Sequence, residues 1–260
     1  QLRAKLVKYE EISDRIEYEI AAFLNAVSAG DISEETSMKI KGAIFDMDGT
    51  LVDSLFFWGV FWRDLGERFL GKQDYAPPKE VDLKVRTMIF TDAMAYVRDA
   101  LGITASTDEV VSFATENLSD FYRYRVKAKS GAYALLDHLK GMGIRMCVAS
   151  ATDKKYLPIA LDACGLTPYF ETVLSCAELG VGKDKPDIYL AALAALGTNA
   201  SETCVFEDSF VALETAKKAG FHTVGIYDEN NYEQERLCQA SDLYLSEGVS
   251  LDEAIAYVEA

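Results

Sequence analysis

Positive charge is scarce in this sequence relative to negative. Its 260 residues carry 26 Lys and Arg against 42 Asp and Glu, a formal net charge of −16 at pH 7. Duplex nucleic acid is excluded as a partner on that balance, because neutralising a phosphate backbone takes clustered Lys and Arg. A pocket for a small phosphorylated metabolite survives the argument, since a few well-placed cations suffice for it. Long apolar runs are also missing. None approaches the ~18 residues of a membrane span, and no secretory leader pattern is visible. The sequence therefore predicts no membrane partner and a cytoplasmic location. The first residue is Gln1 rather than Met, which reads as a trimmed, fragmentary or engineered start. The five cysteines (Cys147, Cys164, Cys176, Cys204 and Cys238) are odd in number, scattered and without a C-x-x-C pair. A disulfide framework and a zinc site are both disfavoured; buried free thiols in a reducing compartment fit better.

What is present is ample apolar sequence, 50% of the chain, enough for one large domain or two modest ones. Leu2, Leu6, Tyr9, Ile12, Ile16, Ile20, Phe23 and Val27 step by three and four, predicting an amphipathic helix over residues 2–29 that ends at Gly30. Asp31 and Glu34 then read as a cap for a short following helix. From Ile40 the pattern changes to short apolar runs: Ala43–Phe45 (with Ile40–Phe45 as the whole first strand), Met146–Ala149, Thr172–Leu174, Thr203–Phe206, Thr223–Ile226 and Leu243–Leu245. Helical segments end near glycines between most of them: Ala132–Lys140, Lys155–Ala163, Asp187–Leu196 and Phe210–Ala219. Apolar strands alternating with helices predict an α/β fold, a Rossmann-like parallel sheet with helices on both faces. Ligands of such sheets bind beyond the carboxyl ends of the strands.

One interval breaks the alternation. Between Asp53 and Gly131 no buried strand stands out, whereas Leu55, Trp58, Trp62, Leu65 and Phe69 predict an aromatic-rich helix over residues 55–70. Pro77-Pro78 marks a loop, and two or three further helices follow through Lys127, one of them opening at Ser106-Thr107-Asp108-Glu109. An insertion of about 75 residues is too long for a loop and predicts an all-helical cap over the strand ends. The expected organisation is an N-terminal helical extension over 1–37, an α/β core over 38–54 and 129–260, and a cap over 55–128. Met38 stands where such a core would naturally begin.

Chemistry enters at "IKGAIFDMDGTLVDS", residues 40–54. Asp46 and Asp48 leave the first strand one residue apart and can face the same side. Carboxylates held together repel, which favours either a bound cation or one raised pKa. A hard cation such as Mg²⁺ suits an all-oxygen site. Gly49 permits a tight turn, and the Thr50 hydroxyl is expected to bond locally and hold it.

These residues resemble the first motif of the haloacid dehalogenase-like superfamily, in its phosphatase and phosphoglucomutase branch. Three later motifs follow in order. "MCVASAT" resembles the second, ending at Ser150; "GKDKPDIY" the third, with Lys183; and "VFEDS" the fourth, with Glu207 and Asp208. The resemblance spans about residues 38–250. Lys185 competes for the lysine role, but the family spacing to Pro-Asp selects Lys183, three residues before Pro186 and four before Asp187. Two departures stand out: Asp184 where the family often has Pro, and Ala212 where it usually has Gly.

The resemblance implies a Mg²⁺-dependent phosphomonoester hydrolase. Asp46 would be the nucleophile that carries an aspartyl-phosphate, and Asp48 the proton shuttle. Ser150, the Ala151 backbone N–H near a helix start, and Lys183 would bind the phosphoryl group. Asp46, the Asp48 backbone carbonyl and Asp208 would hold the metal, with Glu207 either binding it through water or orienting Lys183. Asp48 argues against the dehalogenase branch. A β-phosphoglucomutase-like mutase is the nearest alternative, although mutases of this branch use a histidine early in the cap and this cap has none. His138 and His222 both belong to the core region and are expected to be structural or surface residues. A non-catalytic phosphoryl-accepting regulatory module is the second alternative, and the insertion and Asp48 count against it. Phe56, Phe57 or Trp58, nearest the junction, are candidates to line the substrate pocket. The leading segment is similar to a helical piece of a PhoU-like domain; its expected role is packing or self-association.

Overall fold

The computed structural model describes residues 40–85, 88 and 90–260. The expected helix over residues 2–29, the cap at Asp31 and Glu34 and the PhoU-like segment lie outside the described residues. Ile40–Glu259 is one compact unit. Its elements in chain order are β1 (Gly42–Phe45), β2 (Val52–Asp53), α1 (Phe57–Leu65), α2 (Lys79–Val85), α3 (Phe90–Ala100), α4 (Thr107–Tyr124), β3 (Lys127–Ala128), α5 (Ala132–Gly141), β4 (Arg145–Ser150), α6 (Leu157–Ala163), β5 (Thr172–Ser175), α7 (Cys176–Leu179), α8 (Asp187–Leu196), β6 (Thr203–Glu207), α9 (Phe210–Lys218), β7 (His222–Ile226), α10 (Gln234–Ala240), β8 (Leu243–Leu245) and α11 (Ile255–Glu259).

Six strands form one parallel sheet in the order β5-β4-β1-β6-β7-β8. The α/β, Rossmann-like class read from the alternation is the observed one, and each predicted strand is present, with β5, β6 and β7 one residue longer and β4 two residues longer. The first begins at Gly42 rather than Ile40. Successive side chains of a strand point to opposite faces, and the core divides accordingly. Phe45, Met146, Val148, Cys204 and Phe206 pack on one face with α5 and α6. Ile44, Cys147, Ala149 and Val205 pack on the other with Ile188, Tyr189, Ala192 and Leu196 of α8. Phe45 and Phe206 stack across neighbouring strands with ring centroids 4.4 Å apart. Four cysteines are buried and Cys238 is exposed, all as free thiols. His138 bonds Glu259, and His222 bonds the Ser201 carbonyl. No helix among the described residues is long and apolar enough to cross a membrane.

Helices α1–α4 fill the interval that broke the alternation. The expected helix over residues 55–70 appears as α1 followed by a π-helical turn, Gly66–Leu70. Tyr75 packs so closely there that a Cβ on Gly66 would lie 2.2 Å from the Tyr75 Cβ. Ser106 caps α4 reciprocally with Glu109, as its sequence predicts. The insertion has an aromatic core: Phe57 packs on Phe61 and Phe121, and Phe61 on Trp62. Where the chain enters and leaves it, β2 and β3 pair antiparallel, Val52 with Ala128 and Asp53 with Lys127. Two-residue strands leave no periodic trace, so the sequence did not predict this pairing.

Leu135 of α5 is fully buried in the first of these clusters. Leu135→Ala is expected to destabilise the chain by about 2–5 kcal/mol, the usual cost of lost burial plus a residual cavity. Urea denaturation checks this as a lower midpoint with an unchanged slope.

Candidate active site

The strand order reverses direction at β1, which places a crevice beyond the carboxyl ends of β1 and its neighbours β4 and β6. Asp46 follows β1, Ser150 ends β4, and Glu207 ends β6 with Asp208 after it. The Asp46 backbone N–H donates to the Phe206 carbonyl at 3.0 Å, so the ladder continues one residue past β1 and fixes Asp46 beside Glu207.

From there the chain turns sharply. Gly49 N–H donates to the Val52 carbonyl at 2.9 Å, and Leu51 and Val52 N–H both donate to the Met47 carbonyl at 3.0 Å. Gly49 has φ +78°, and a Cβ there would stand 2.6 Å from Asp208 Oδ2, so both the backbone angle and the close approach require glycine. The expectation that Thr50 holds its own turn is corrected. Backbone bonds hold it, and the buried Thr50 hydroxyl donates to Asp208 Oδ1 at 3.1 Å, across 158 positions of sequence.

Among the described residues, Lys183 is the cation of the site. Its Nζ donates to Asp46 Oδ1 at 2.5 Å and to Glu207 Oε1. Its side chain is 9% exposed, whereas Lys185 is exposed, which separates the two competing lysines. Glu207 also accepts from the Tyr189 hydroxyl at 3.1 Å and from the Ser209 N–H at 3.3 Å. Asn231 Nδ2 donates to Asp208 Oδ2 at 3.0 Å and to its carbonyl at 2.7 Å. Ala212, where the family usually has Gly, sits buried inside α9 without breaking it.

Asp48 is held apart from this group. Its Oδ1 accepts from Ser54 Oγ at 2.7 Å and from the Tyr122 hydroxyl at 2.8 Å, and its Oδ2 accepts from Thr152 Oγ1 at 2.7 Å. Ser150 is buried, and its Oγ accepts from the Thr152 N–H at 3.0 Å. The helix start expected beside Ala151 is corrected: Ala151 is an exposed bend residue, and α6 begins only at Leu157. A Tyr156 N–H bond to the Asp153 carbonyl and Pro158 in the first turn of α6 set the helix boundary there.

Phe57 belongs to the aromatic core of the insertion, whereas Phe56 lines an open cleft of about 450 Å³ with Trp62, Arg63 and Tyr75. Asp46, Asp48, Glu207 and Asp208 do not border that cleft. Tyr122, Thr152 and Asn231 were missed by the sequence reading. Thr152 sits two residues past Ser150 and had a local signal in "SAT". Tyr122 and Asn231 reach the site from a helix and a distant loop, and nothing in their neighbourhoods marks them.

Burial dominates the electrostatics. It raises Asp48 above the ordinary carboxylate range, with Asp46 adding to the shift and the hydroxyls of Ser54, Thr152 and Tyr122 opposing it. Burial, then Asp46 and Glu207, push Asp208 well up, and burial carries Glu207 to about 7 even beside Lys183. Burial alone would lower Lys183, but Asp46 and Glu207 outweigh it and keep the ammonium charged. Oxygens of Asp46, Glu207 and Asp208 lie within 4.8 Å of one another. This buried all-oxygen set, with one lysine against three carboxylates, has the chemistry that suits a hard divalent cation such as Mg²⁺.

A family model for haloacid dehalogenase-like hydrolases matches residues 40–220. The chain belongs to that family. Among relatives, it is 27% identical over 187 residues to a phosphorylated carbohydrates phosphatase of Thermotoga maritima, covering 71% of this chain and 84% of that protein. Among solved structures, CbbY from Rhodobacter sphaeroides with phosphate is 21% identical at a TM-score of 0.68, covering 85% of this chain and all of that one. A β-phosphoglucomutase from Clostridium difficile is 17% identical at a TM-score of 0.64, covering 85% and 97%. Both likenesses are likenesses of fold.

Asp48, Glu207 and Asp208 bind protons more tightly folded than unfolded. Their contribution to stability is full below the unfolded values of 3.8 for Asp and 4.5 for Glu, and is lost as pH rises through the raised folded values, about 7 for Glu207. In a chelating buffer, Tm is therefore expected to fall as pH rises from about 4.5 to about 7, the window of Glu207. A Tm that climbs through that window in scanning fluorimetry would contradict the assignment.

Proposed function

We propose that this chain is a Mg²⁺-dependent phosphatase that hydrolyses a small phosphorylated carbohydrate through an aspartyl-phosphate on Asp46. The observation that carries the reading is the separation of two carboxylates on one strand end. Asp46 lies against a lysine among buried acids, where an anionic phosphoryl group can be met by positive charge. Asp48 lies in a ring of hydroxyls with a raised pKa, where a proton can be kept and given up. The name of the Thermotoga maritima relative supports the substrate class.

The steps follow from those two environments. A carboxylate oxygen of Asp46 attacks phosphorus in line, and the bond from phosphorus to the ester oxygen breaks with its electron pair on that oxygen. Asp48 gives its proton to the leaving alcohol. Water then attacks the aspartyl-phosphate while Asp48, now a carboxylate, takes a proton from it; the bond to Asp46 breaks, and phosphate departs. Lys183, the Ser150 hydroxyl and the Ala151 N–H are the assigned partners of the phosphoryl oxygens. Asp46, the Asp48 carbonyl and Asp208 would hold Mg²⁺, which supplies further positive charge to those oxygens, and Glu207 orients Lys183. Residues 55–128 act as the cap and residues 38–54 with 129–260 as the core, in the cytoplasm.

Phosphate release from a sugar-phosphate panel is expected with Mg²⁺ and is expected to vanish with EDTA. Asp46→Asn should lower kcat by about 10³-fold or more, since it removes the nucleophile. A pure, folded protein that released no phosphate from any monoester would overturn the hydrolase reading. Glucose 6-phosphate formed from β-glucose 1-phosphate would mark a mutase instead.

A further inference from the structure

Among the described residues, the helical insertion contributes one polar atom directly to the proton-transfer carboxyl. Tyr122 sits in the last turn of α4, 74 positions from Asp48, and its ring is 4% exposed. The ring packs against Phe121 at 5.9 Å and against Tyr156 at 6.3 Å, and Tyr156 also touches Phe90 of α3 at 6.2 Å. A phenol held in this seam has little freedom to turn elsewhere. Ser54 lies in the segment that carries Asp48, and Thr152 follows β4. Among the described residues, Tyr122 is thus the donor that ties Asp48 to the insertion.

We infer that Tyr122 is a positioning residue for Asp48 that favours substrates whose leaving group is an alkoxide. The inference rests on the phosphatase reading and deepens it. While Asp48 carries its proton, the carboxyl is a weak acceptor for the phenol. As that proton passes to the ester oxygen and the bond from phosphorus to that oxygen breaks, Asp48 becomes a carboxylate, and hydrogen bonds to a charged acceptor are roughly twice as strong as neutral ones. The Tyr122 bond therefore strengthens as the first step proceeds, which stabilises its transition state. In the second step Asp48 takes a proton from water and the same bond weakens, so Tyr122 gives no help there. A sugar alkoxide cannot leave without the proton, whereas p-nitrophenolate can.

Tyr122→Phe keeps the ring and removes only the donor. The test compares kcat/KM for glucose 6-phosphate and p-nitrophenyl phosphate in the Mg²⁺-loaded full chain, with folding checked by Tm. The expected loss is about tenfold for the sugar phosphate and about threefold or less for the aryl phosphate. Tyr156→Phe serves as the control for seam packing, because the Tyr156 hydroxyl has no hydrogen-bond partner among the described residues. It is expected to keep the sugar-to-aryl ratio of the unaltered protein. Equal losses on both substrates, no loss on either, or the same ratio change in Tyr156→Phe would each overturn the inference. If the unaltered protein cleaves neither these esters nor any other monoester of the panel, the hydrolase reading falls, and the role of Tyr122 falls with it.

Discussion

Three buried carboxylates at the end of one sheet are the constraint on which the rest of the site depends. Asp46, Glu207 and Asp208 would separate if the backbone allowed it, since like charges out of water repel strongly. The backbone does not allow it: β1 and β6 run side by side in a ladder that continues as far as Asp46. Lys183 answers part of the repulsion, reaching from the loop before α8 to touch two of the three. The remaining negative charge makes the cluster attractive to a divalent cation.

The neighbours of the cluster can be understood as answers to the same crowding. Gly49 exists because Asp208 leaves no room for a side chain. Thr50 and Asn231 each donate to Asp208, and Tyr189 donates to Glu207, so each buried acid has donors besides the lysine. Asp48 faces the other way, into hydroxyls from three parts of the chain. Two carboxyls one residue apart thereby acquire different chemistry. One is set against charge and the other against neutral donors, which is how a single strand end supplies both a nucleophile and an acid.

Much of this was legible in the sequence. Uniformly apolar runs such as Ala43–Phe45 and Met146–Ala149 gave the parallel sheet, because strands covered on both faces need apolar side chains in both directions. Asp46 and Asp48 were named from the segment that leaves the first strand, where ligands of such sheets bind, whereas Ser150, Lys183, Glu207 and Asp208 were named from the resemblance of their short segments to the family's motifs. The capping box at Ser106 and Glu109 was equally plain, being a local bond between residues three apart.

Tertiary structure decided the rest, wherever a partner lay far away in sequence. Thr50 had every local reason to bond its own turn, and only the approach of β6 turned its hydroxyl to Asp208. The β2–β3 pairing was too short to leave a period. Tyr122 occupies an unremarkable helical position, and its meeting with Asp48 follows from how the insertion packs on the core. The sequence by itself determined the order of strands and helices and the acids at the strand ends, because periodicity and spacing are local. Which hydroxyl faces which acid was determined only in three dimensions, because a hydrogen bond across 74 or 158 positions leaves no mark on either neighbourhood.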